Sequence, residues 1–378
     1  MVSRGGQRTG VAHLPLHYGK APPWLFQRMV KLSRGIVIAV VEDHGPGVVL
    51  QRLSDPYWFQ ALGCLLGFDW HSSGVTTTVC GALKEGVKGL ERDLGLYIAG
   101  GKGGTSRKTP SEIQAVGESL GADLSPLVYA SRMSAKVDSA ALQDGYQLYH
   151  HSFFFTASGQ WAVVQQGMNE QTRYARRYHW LGERVADFVC EPEAAICAQA
   201  TGPVLNLVAS ESDAARKAIA WAATQEQPQK LVGDLERIAS PRLGPGASLK
   251  LPARHHILSA DLHPQRLEKI LLSTYERQPK DFEALLALEG VGPATMRALS
   301  LLSELVYGAP ASARDPARYS FAHGGKDGHP FPVDRRTYDE TIAFLEGALR
   351  RARLGDAERL DALRRLHRMW AAVGDTKS

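Results

Sequence analysis

Residues 146–166 read Tyr146-Gln147-Leu148-Tyr149-His150-His151-Ser152-Phe153-Phe154-Phe155-Thr156-Ala157-Ser158-Gly159-Gln160-Trp161-Ala162-Val163-Val164-Gln165-Gln166. Two runs rich in aromatic and β-branched residues flank Thr156–Gly159, four small or polar residues that end in glycine. This pattern predicts a β-hairpin. Because successive side chains of a strand point to opposite faces, it also predicts that His150 and His151 face different sides of a sheet.

Shorter patterns place further elements before the hairpin. The apolar run Ile36–Val41, closed by His44–Gly47, predicts a buried strand. Asp55–Leu66 has the apolar spacing of a helix, with Asp55 as its N-cap and Pro56 as its first residue.

Glycines divide the segment that follows. Gly74–Gly95 predicts either one helix or a strand–helix unit. Gly100–Pro110 contains four glycines and predicts a loop. Ser111–Leu120 predicts a helix capped by Ser111.

The spacing of apolar residues becomes helical throughout from Pro264 onward. Helices are predicted over residues 264–276, 280–288, 293–307, 338–353 and 356–372. We therefore predict the α+β fold class, with a mixed α/β, nuclease-like domain over residues 1–205, a helical connector over 206–250 and an all-α domain over 251–378.

The composition narrows the class of protein. The chain has 378 residues, four cysteines and a net charge of +5. Four cysteines without a Cys-x-x-Cys pair are typical of reduced thiols in a cytoplasmic protein. The longest apolar run, Gly35–Val41, is too short to span a bilayer, and no signal-peptide pattern follows Met1. Arginine outnumbers lysine 30 to 14 and there are two asparagines, which fits a heat-adapted or GC-rich source, while excess arginine also suits phosphate binding.

The helical half contains the stretch Leu288-Glu289-Gly290-Val291-Gly292-Pro293-Ala294-Thr295-Met296-Arg297-Ala298-Leu299. Gly290 and Gly292 permit a tight turn with bare backbone N–H groups, and Pro293 suits the first position of a helix. The stretch resembles the helix-hairpin-helix DNA-binding motif, whose turn binds a DNA phosphate without reading bases. An ordinary turn between two helices is the alternative. The resemblance implies DNA contacts from Gly290, Val291, Gly292, Ala294, Thr295 and Arg297.

The segment His329–Tyr338 extends this resemblance to the base-excision glycosylases of the helix-hairpin-helix superfamily. In those enzymes a Val-Asp pair after the hairpin supplies the catalytic aspartate, which implies that role for Asp334. Asp334 is alternatively the N-cap of the helix that follows it. The lysine nucleophile of lyase-type members aligns with Ala294, which has no amine, so a lyase is excluded.

Two basic segments are candidates for contact with a nucleic-acid backbone. The first is the predicted loop, with the cations Lys102, Arg107 and Lys108. The second interleaves arginines with aromatic residues, a pattern that suits phosphate contact and base stacking. If the stretch is helical, its arginines fall on one face. Its arginines are Arg173, Arg176 and Arg177. A flexible linker and a solvated basic face are the respective alternatives.

Carboxylates and imidazoles recur beside the apolar runs of the N-terminal half. The candidates for catalysis are Glu42, Asp69, His71, Asp144 and His151, of which the last four are also candidate metal ligands. Mg²⁺ or Mn²⁺ takes carboxylate oxygens and activates a water for attack on phosphorus. The residues together therefore suggest a metal-dependent phosphodiesterase, whereas each alone is better explained as an ordinary core or surface polar group.

Several motifs along the chain are similar to those of one family. They are Arg8-Thr9-Gly10-x-x-His13, Gly100–Pro110, Tyr149-His150-His151, Gln165-Gln166-Gly167-Met168, Arg254-His255-His256 and the late hairpin. The family is the prokaryotic one catalogued as domain of unknown function 763, and the resemblance covers nearly the whole chain. It implies an N-terminal module joined to a helix-hairpin-helix region and no established catalytic residues.

These observations lead to one main hypothesis and two alternatives. The main one is a metal-dependent DNA nuclease, active in repair or recombination, whose helical domain binds DNA without sequence specificity and whose partners include repair or recombination proteins. A monofunctional DNA glycosylase that uses Asp334 and a non-catalytic DNA-binding protein are the alternatives.

Overall fold

The computed structural model describes residues 22–67, 74–172, 174–198, 202–239, 264–318, 335–352 and 354–374. Helices enclose a five-stranded antiparallel sheet in the first half, and the described C-terminal segments are mainly helical. This architecture confirms the predicted α+β class. The predicted domain boundaries at 205 and 250 remain predictions.

The elements follow one another with few long connections. The helices are α1 Pro23–His44, α2 Pro46–Ser54, α3 Pro56–Leu66, α4 Gly74–Val87, α5 Glu91–Leu94, α6 Thr109–Leu120, α7 Ser125–Lys136, α8 Asp213–Gln225, α9 Pro228–Ala239, α10 Pro264–Arg277, α11 Phe282–Ala287, α12 Pro293–Leu305, α13 Arg335–Arg351 and α14 Asp356–Gly374. The strands are β1 Tyr97–Lys102, β2 Leu142–Gln143, β3 Gln147–Phe155, β4 Trp161–Met168, β5 Ala175–Leu181, β6 Ala195–Cys197 and β7 Leu205–Asn206.

The predicted hairpin is confirmed and forms the centre of the sheet. Strand order is β1-β3-β4-β5-β6, all antiparallel, and β2 pairs separately with β7. Phe155 pairs with Trp161 next to the turn, and the same register sets His151 opposite Gln165.

Each face of the sheet is covered by its own hydrophobic core. Phe153 and Phe155 point to one face and pack with α6, α7, α8 and α10–α12. Phe154 points to the other face and packs with α1–α4, α13 and α14. Adjacent phenylalanines point to opposite faces of the sheet, and both faces are buried. Three consecutive aromatic residues therefore all lie in a core. The four cysteines are free thiols, as predicted, and three of them are buried.

The predicted strand at Ile36–Val41 is wrong, because these residues lie within α1. The helix contacts α2, α4 and α13, so apolar side chains are buried around much of its circumference. A helix buried on several sides loses the amphipathic spacing that would identify it in a sequence, and its β-branched residues then resemble a strand.

The predicted N-terminal features of α3 are confirmed. Asp55 caps the helix by accepting hydrogen bonds from the backbone N–H groups of Tyr57 and Trp58, at 2.8 and 3.3 Å. The glycine-divided segment Gly74–Gly95 is helical in α4 and α5, and the strand begins only at Tyr97.

The loop predicted for Gly100–Pro110 is also wrong. Its first residues extend β1, which pairs with β3 as far as Lys102. Residues Gly103–Lys108 then form a 3-10 helix, and α6 follows from Thr109. Ser111 is therefore not a cap but lies in the first turn of α6, where its hydroxyl donates to the carbonyl oxygen of Lys108.

The glycine at position 100 is required by the close approach of β1 to β3. Gly100 has a φ angle of +86°, and a Cβ atom there would lie 2.2 Å from the carbonyl oxygen of His151 and 2.5 Å from Thr109 Oγ1. Gly104, four residues later, has open space where a Cβ would be. The two positions form a matched pair for substitution.

We expect Gly100→Ala to lower the free energy of unfolding by at least about 3 kcal/mol, since backbone strain and steric overlap add together. Gly104→Ala should change it by less than about 1 kcal/mol. Urea denaturation followed by circular dichroism measures both values. Equal stabilities for the two variants would contradict the close approach of the two strands.

Candidate functional site

A cavity of about 630 Å³ opens beside α7. Its walls come from α7, β3, β4, the 3-10 helix before α6 and the end of α11. Its polar lining includes Arg107, Ser131, Arg132, Lys136, His150 and His151. Within the described ranges, no lining residue is Asp or Glu, so every lining residue with a permanent charge is a cation.

Two of these cations are available to a ligand. Arg107 and Arg132 are exposed, and neither makes a hydrogen bond or an ion pair within the part of the chain that the structure describes. Two uncharged lining residues donate to carboxyl groups behind the wall: Tyr129 to Glu283 at 2.6 Å and Gln165 to Asp138 at 2.5 Å. An anion is the ligand that such a wall attracts.

A hydroxyl and an imidazole meet on the cavity wall. Ser131 Oγ lies 2.9 Å from His151 Nε2, and His151 Nδ1 lies 2.8 Å from Gln165 Oε1. All three residues line the cavity. The chain of contacts therefore runs from the cavity surface into the sheet.

The contacts of Gln165 fix the tautomer of His151. Gln165 Nε2 lies 3.2 Å from the carbonyl oxygen of Ser134, which can only accept a hydrogen bond. The amide oxygen of Gln165 must then face His151, so Nδ1 carries the proton and donates it. His151 Nε2 is left with a lone pair, and the hydroxyl of Ser131 is the donor to it.

A buried carboxyl pair continues the chain. Asp138 Oδ2 accepts from Gln165 Nε2 at 2.5 Å and from Trp180 Nε1 at 2.8 Å. The other side of Asp138 meets the carboxyl of Glu193, and burial raises the pKa of both groups. Two adjacent buried carboxyls cannot both ionise, so they share one proton.

Burial also sets the charge of the histidines. Removal from water lowers the pKa of His151 to about 4 and that of His150 to about 3. His151 is therefore a neutral base at pH 7. His150 Nε2 contacts Ser152 Oγ at 3.1 Å, and its Nδ1 has no hydrogen-bond partner within the described residues.

The glycine-containing turn between α11 and α12 lies at the surface. Gly290 has a φ angle of +86° and is exposed, Val291 is buried in the core, and Pro293 begins α12, all as predicted. Ala294 is exposed at the second position of the helix. The first backbone N–H groups of a helix have no acceptor within it. We call residues 290–294 the glycine corner.

The glycine corner is fixed to the α/β half by side chains. Lys136 donates to the carbonyl oxygens of Leu286, Leu288 and Val291 at 2.7, 2.5 and 3.2 Å. Burial lowers the pKa of Lys136 to about 8, which leaves the ammonium mostly charged at pH 7. Because Lys136 also lines the cavity, the corner and the cavity are adjacent.

A second side chain secures the start of α12. Gln143 Nε2 donates to the carbonyl oxygen of Pro293 at 3.0 Å, and Arg297 Nη1 donates to Gln143 Oε1 at 2.9 Å. Arg297 is half-buried and engaged in this contact, and Thr295 is buried. Of the residues predicted to contact DNA in this stretch, Gly290 and Ala294 are exposed, Gly292 is half-buried like Arg297, and Val291 is buried.

Asp144 is a structural ion-pair residue in this fold. It accepts from Arg176 Nη1 at 2.9 Å and from the hydroxyl of Tyr178 at 2.6 Å, and Arg176 also binds Asp315. Burial raises the pKa of Asp144, while Arg176 and Tyr178 act in the opposite direction. The Asp144 carboxylate thus accepts hydrogen bonds from side chains in the protein interior.

The expectation of one basic helical face around Arg176 and Arg177 is wrong, because this segment is strand β5. Neighbouring residues of a strand point to opposite faces. Both arginines are 1% exposed, and Arg177 bonds Gln60 and His179 in the interior. Neither guanidinium is placed to contact DNA.

The remaining predicted residues do not join the cavity in the described part of the chain. Glu42 is exposed near the end of α1, and Lys102 and Lys108 are exposed at the two ends of the 3-10 helix. The described residues contain no group of three or more metal-ligand side chains. Both ring nitrogens of His151 are already hydrogen-bonded, to Ser131 and to Gln165. The candidates that lie outside the described residues are Asp69, His71, Arg173 and Asp334.

Sequence reasoning missed Ser131, Arg132 and Lys136, which all lie on α7. That helix carries no motif, and its polar residues have ordinary helical spacing. The pairing of His151 with Gln165 was accessible, because counting back from Phe155 and Trp161 in the predicted hairpin aligns these two residues.

Substitution of Asp144 distinguishes a structural role from metal binding. We expect Asp144→Asn to lower the free energy of unfolding by about 3 kcal/mol, because it leaves a buried arginine with one carboxylate fewer. The exposed Asp213, which pairs with Lys217, is the control, and its Asn variant should be nearly unchanged. Urea denaturation with and without Mg²⁺ gives both values. An Asp144→Asn protein with unchanged stability and lost metal binding would favour the metal-ligand role instead.

No helix within the described ranges combines the length and apolar character needed to cross a membrane.

Comparison with known proteins assigns the family. No curated protein and no solved structure matches the chain. The family model described as "Protein of unknown function (DUF763)" matches residues 10–333. Since the match covers most of the 378 residues, the chain belongs to this family.

Proposed function

We propose that this protein binds the phosphate backbone of DNA and cleaves a phosphodiester bond in the cavity beside α7. The observation that carries the proposal is the adjacency of two anion-attracting surfaces. Lys136 contacts both, since it lines the cavity and donates to the carbonyl oxygen of Val291 in the glycine corner, as well as to those of Leu286 and Leu288 just before it. A polynucleotide is a ligand with a row of anions that can occupy both surfaces at once.

The glycine corner supports a contact to one phosphate. Its N–H groups precede α12, whose N-terminus carries partial positive charge, and no side chain of Gly290 or Gly292 obstructs an approaching oxygen. Such a contact reads no bases, so the proposed binding is independent of DNA sequence.

The cavity supports a contact to a second phosphate at which chemistry takes place. Arg107 and Arg132 are exposed cations on a wall without carboxylates. Fixed cations stabilise the negative charge that develops on phosphoryl oxygens during cleavage. We place this activity in the prokaryotic cytoplasm, in DNA repair or recombination, with proteins of those systems as partners. Mg²⁺ or Mn²⁺ remains a proposed cofactor.

Binding at the glycine corner is tested by reversing its charge. Ala294→Glu places a carboxylate where a phosphate is proposed to lie, and an acidic residue in the first turn of a helix does not destabilise it. We expect at least a roughly tenfold weaker Kd for a duplex oligonucleotide in gel-shift assays at low salt.

The matched control is Ala294→Gln, which adds a side chain of the same size without charge. Its Kd should stay within about threefold of the unmodified protein, because less than about 1 kcal/mol is involved. Equal affinity for the Glu and Gln variants would remove the glycine corner from the binding surface.

Cleavage is tested with labelled single-stranded, duplex and branched DNA, in EDTA and with Mg²⁺ or Mn²⁺. We expect strand scission that falls roughly a hundredfold in Arg107→Gln and Arg132→Gln, since each removes a cation from the reacting phosphate. Arg92→Gln is the control, because Arg92 is exposed and absent from the cavity wall. Abasic sites without scission would instead support a glycosylase, and retardation without any product would support a non-catalytic binder.

A further inference from the structure

We infer that Ser131 is a nucleophile that forms a covalent bond to the phosphorus of a DNA phosphodiester, with His151 as its general base and Gln165 as the residue that positions the imidazole. The inference rests on the proposed function for its substrate. It goes beyond that function by naming the bond-forming atom and a covalent intermediate.

Ser131 makes a hydrogen bond that is unusual for a serine within a helix. A serine within a helix commonly donates to a backbone carbonyl three or four residues earlier. Ser134 and Ser139 follow this rule, bonding the carbonyl oxygens of Ser131 and Ala135. Ser131 instead donates to His151 Nε2 across the interface between α7 and β3. Its hydroxyl is thus paired with a base rather than with its own helix.

Ser131, His151 and Gln165 are hydrogen-bonded in series. A hydroxyl bonded to the unprotonated nitrogen of an imidazole, whose other nitrogen donates to a fixed acceptor, is the arrangement that activates a nucleophile. Here the fixed acceptor is an amide oxygen, which the Ser134 carbonyl and Asp138 hold in place through Gln165 Nε2. Because the acceptor is neutral, His151 gains a proton less readily than it would beside a carboxylate.

The charge around the Ser131 hydroxyl favours an anionic substrate. Ser131 opens onto a cavity whose charged lining within the described residues is Arg107, Arg132 and Lys136. A phosphodiester carries one negative charge and gains more on its non-bridging oxygens as a nucleophile adds. A cationic wall favours this substrate class over a neutral ester.

The covalent step replaces one sugar oxygen on phosphorus by the serine oxygen. Ser131 Oγ bonds to phosphorus and transfers its proton to His151 Nε2, while the bond from phosphorus to one sugar oxygen breaks. The departing oxygen takes the proton from His151, which regenerates the neutral base. The product is a serine-linked phosphodiester and a free sugar hydroxyl. Water then attacks phosphorus, passes its proton to His151, and Ser131 Oγ departs with that proton.

The nucleophile is tested without DNA by a fluorophosphonate probe, in which the serine oxygen bonds to phosphorus and fluoride leaves. We expect labelling of Ser131, located by mass spectrometry, and none at that position in Ser131→Ala. His151→Gln should label at least roughly a hundredfold more slowly, because it lacks the base. Ser125→Ala is the matched control, since Ser125 lines the same cavity but bonds Asp123, and its Ser131 labelling should be unchanged.

The positioning role of Gln165 has its own readout. Gln165→Glu would place a carboxyl against His151 Nδ1, and an adjacent negative charge raises an imidazole pKa by about 1–3 units. We expect the pH of half-maximal labelling to rise by about that amount. The charged groups around these residues are Lys102 on β1, Arg107 on the 3-10 helix, Arg132 and Lys136 on α7, and the Asp138–Glu193 pair. The substitution directly affects Asp138 among them, because Asp138 loses the Gln165 Nε2 donor. A purely structural Gln165 would change the amount of folded protein and leave this pH unchanged.

The covalent intermediate with DNA is tested by mixing the protein with a labelled duplex and quenching the reaction rapidly in denaturant. Label that stays attached to the protein is then detected. An adduct on Ser131 supports the inference. Protein with normal thermal unfolding that gives no Ser131 labelling by fluorophosphonate overturns it. Labelled Ser131 in a protein that fails to retard DNA would retain the nucleophile and reject the proposed function. Labelled Ser131 and retarded DNA without an adduct would reject the phosphodiester as its substrate.

Discussion

The register between β3 and β4 is the constraint on which the other features depend. Pairing of Phe155 with Trp161 fixes which residues of both strands point to each face. A shift by one residue would move Phe153 and Phe154 to the wrong cores and would part His151 from Gln165. The buried aromatic residues on both faces therefore fix the contact between His151 and Gln165. That polar contact alone could not specify the register.

Helix α7 links the sheet to the C-terminal helices. Its apolar side packs in the first core, Ser131 contacts β3, and Lys136 bonds the carbonyl oxygens beside the glycine corner. One rigid helix thus determines the positions of the cavity wall and of the proposed phosphate contact. The buried lysine is stabilised because three carbonyl dipoles replace the water that it loses.

The polar chain from Ser131 to Glu193 is buried at a cost in stability, since polar groups leave water and two carboxyls must share a proton. Each hydrogen bond from Ser131 to Trp180 joins a defined donor to a defined acceptor, while Asp138 Oδ1 has no hydrogen-bond partner among the described residues. By contrast, Asp144 and Arg176 form an interior ion pair whose role is architectural. Residue type alone does not distinguish a polar group that lines the cavity from one that only pairs in the interior. The position of each group relative to the cavity does distinguish them.

The amino-acid sequence by itself determined the hairpin, the cap of α3, the C-terminal helices and the form of the glycine corner, because local spacing, proline and glycine encode them. It did not determine that Ile36–Val41 is helical or that Arg176 and Arg177 are buried, since both follow from packing between distant segments. Only the tertiary structure decided the site, because α7, β3 and β4 bring Ser131, His151 and Gln165 together across long separations along the chain. Hydrogen-bond direction and burial, which assign the base and its tautomer, arise only when those segments meet.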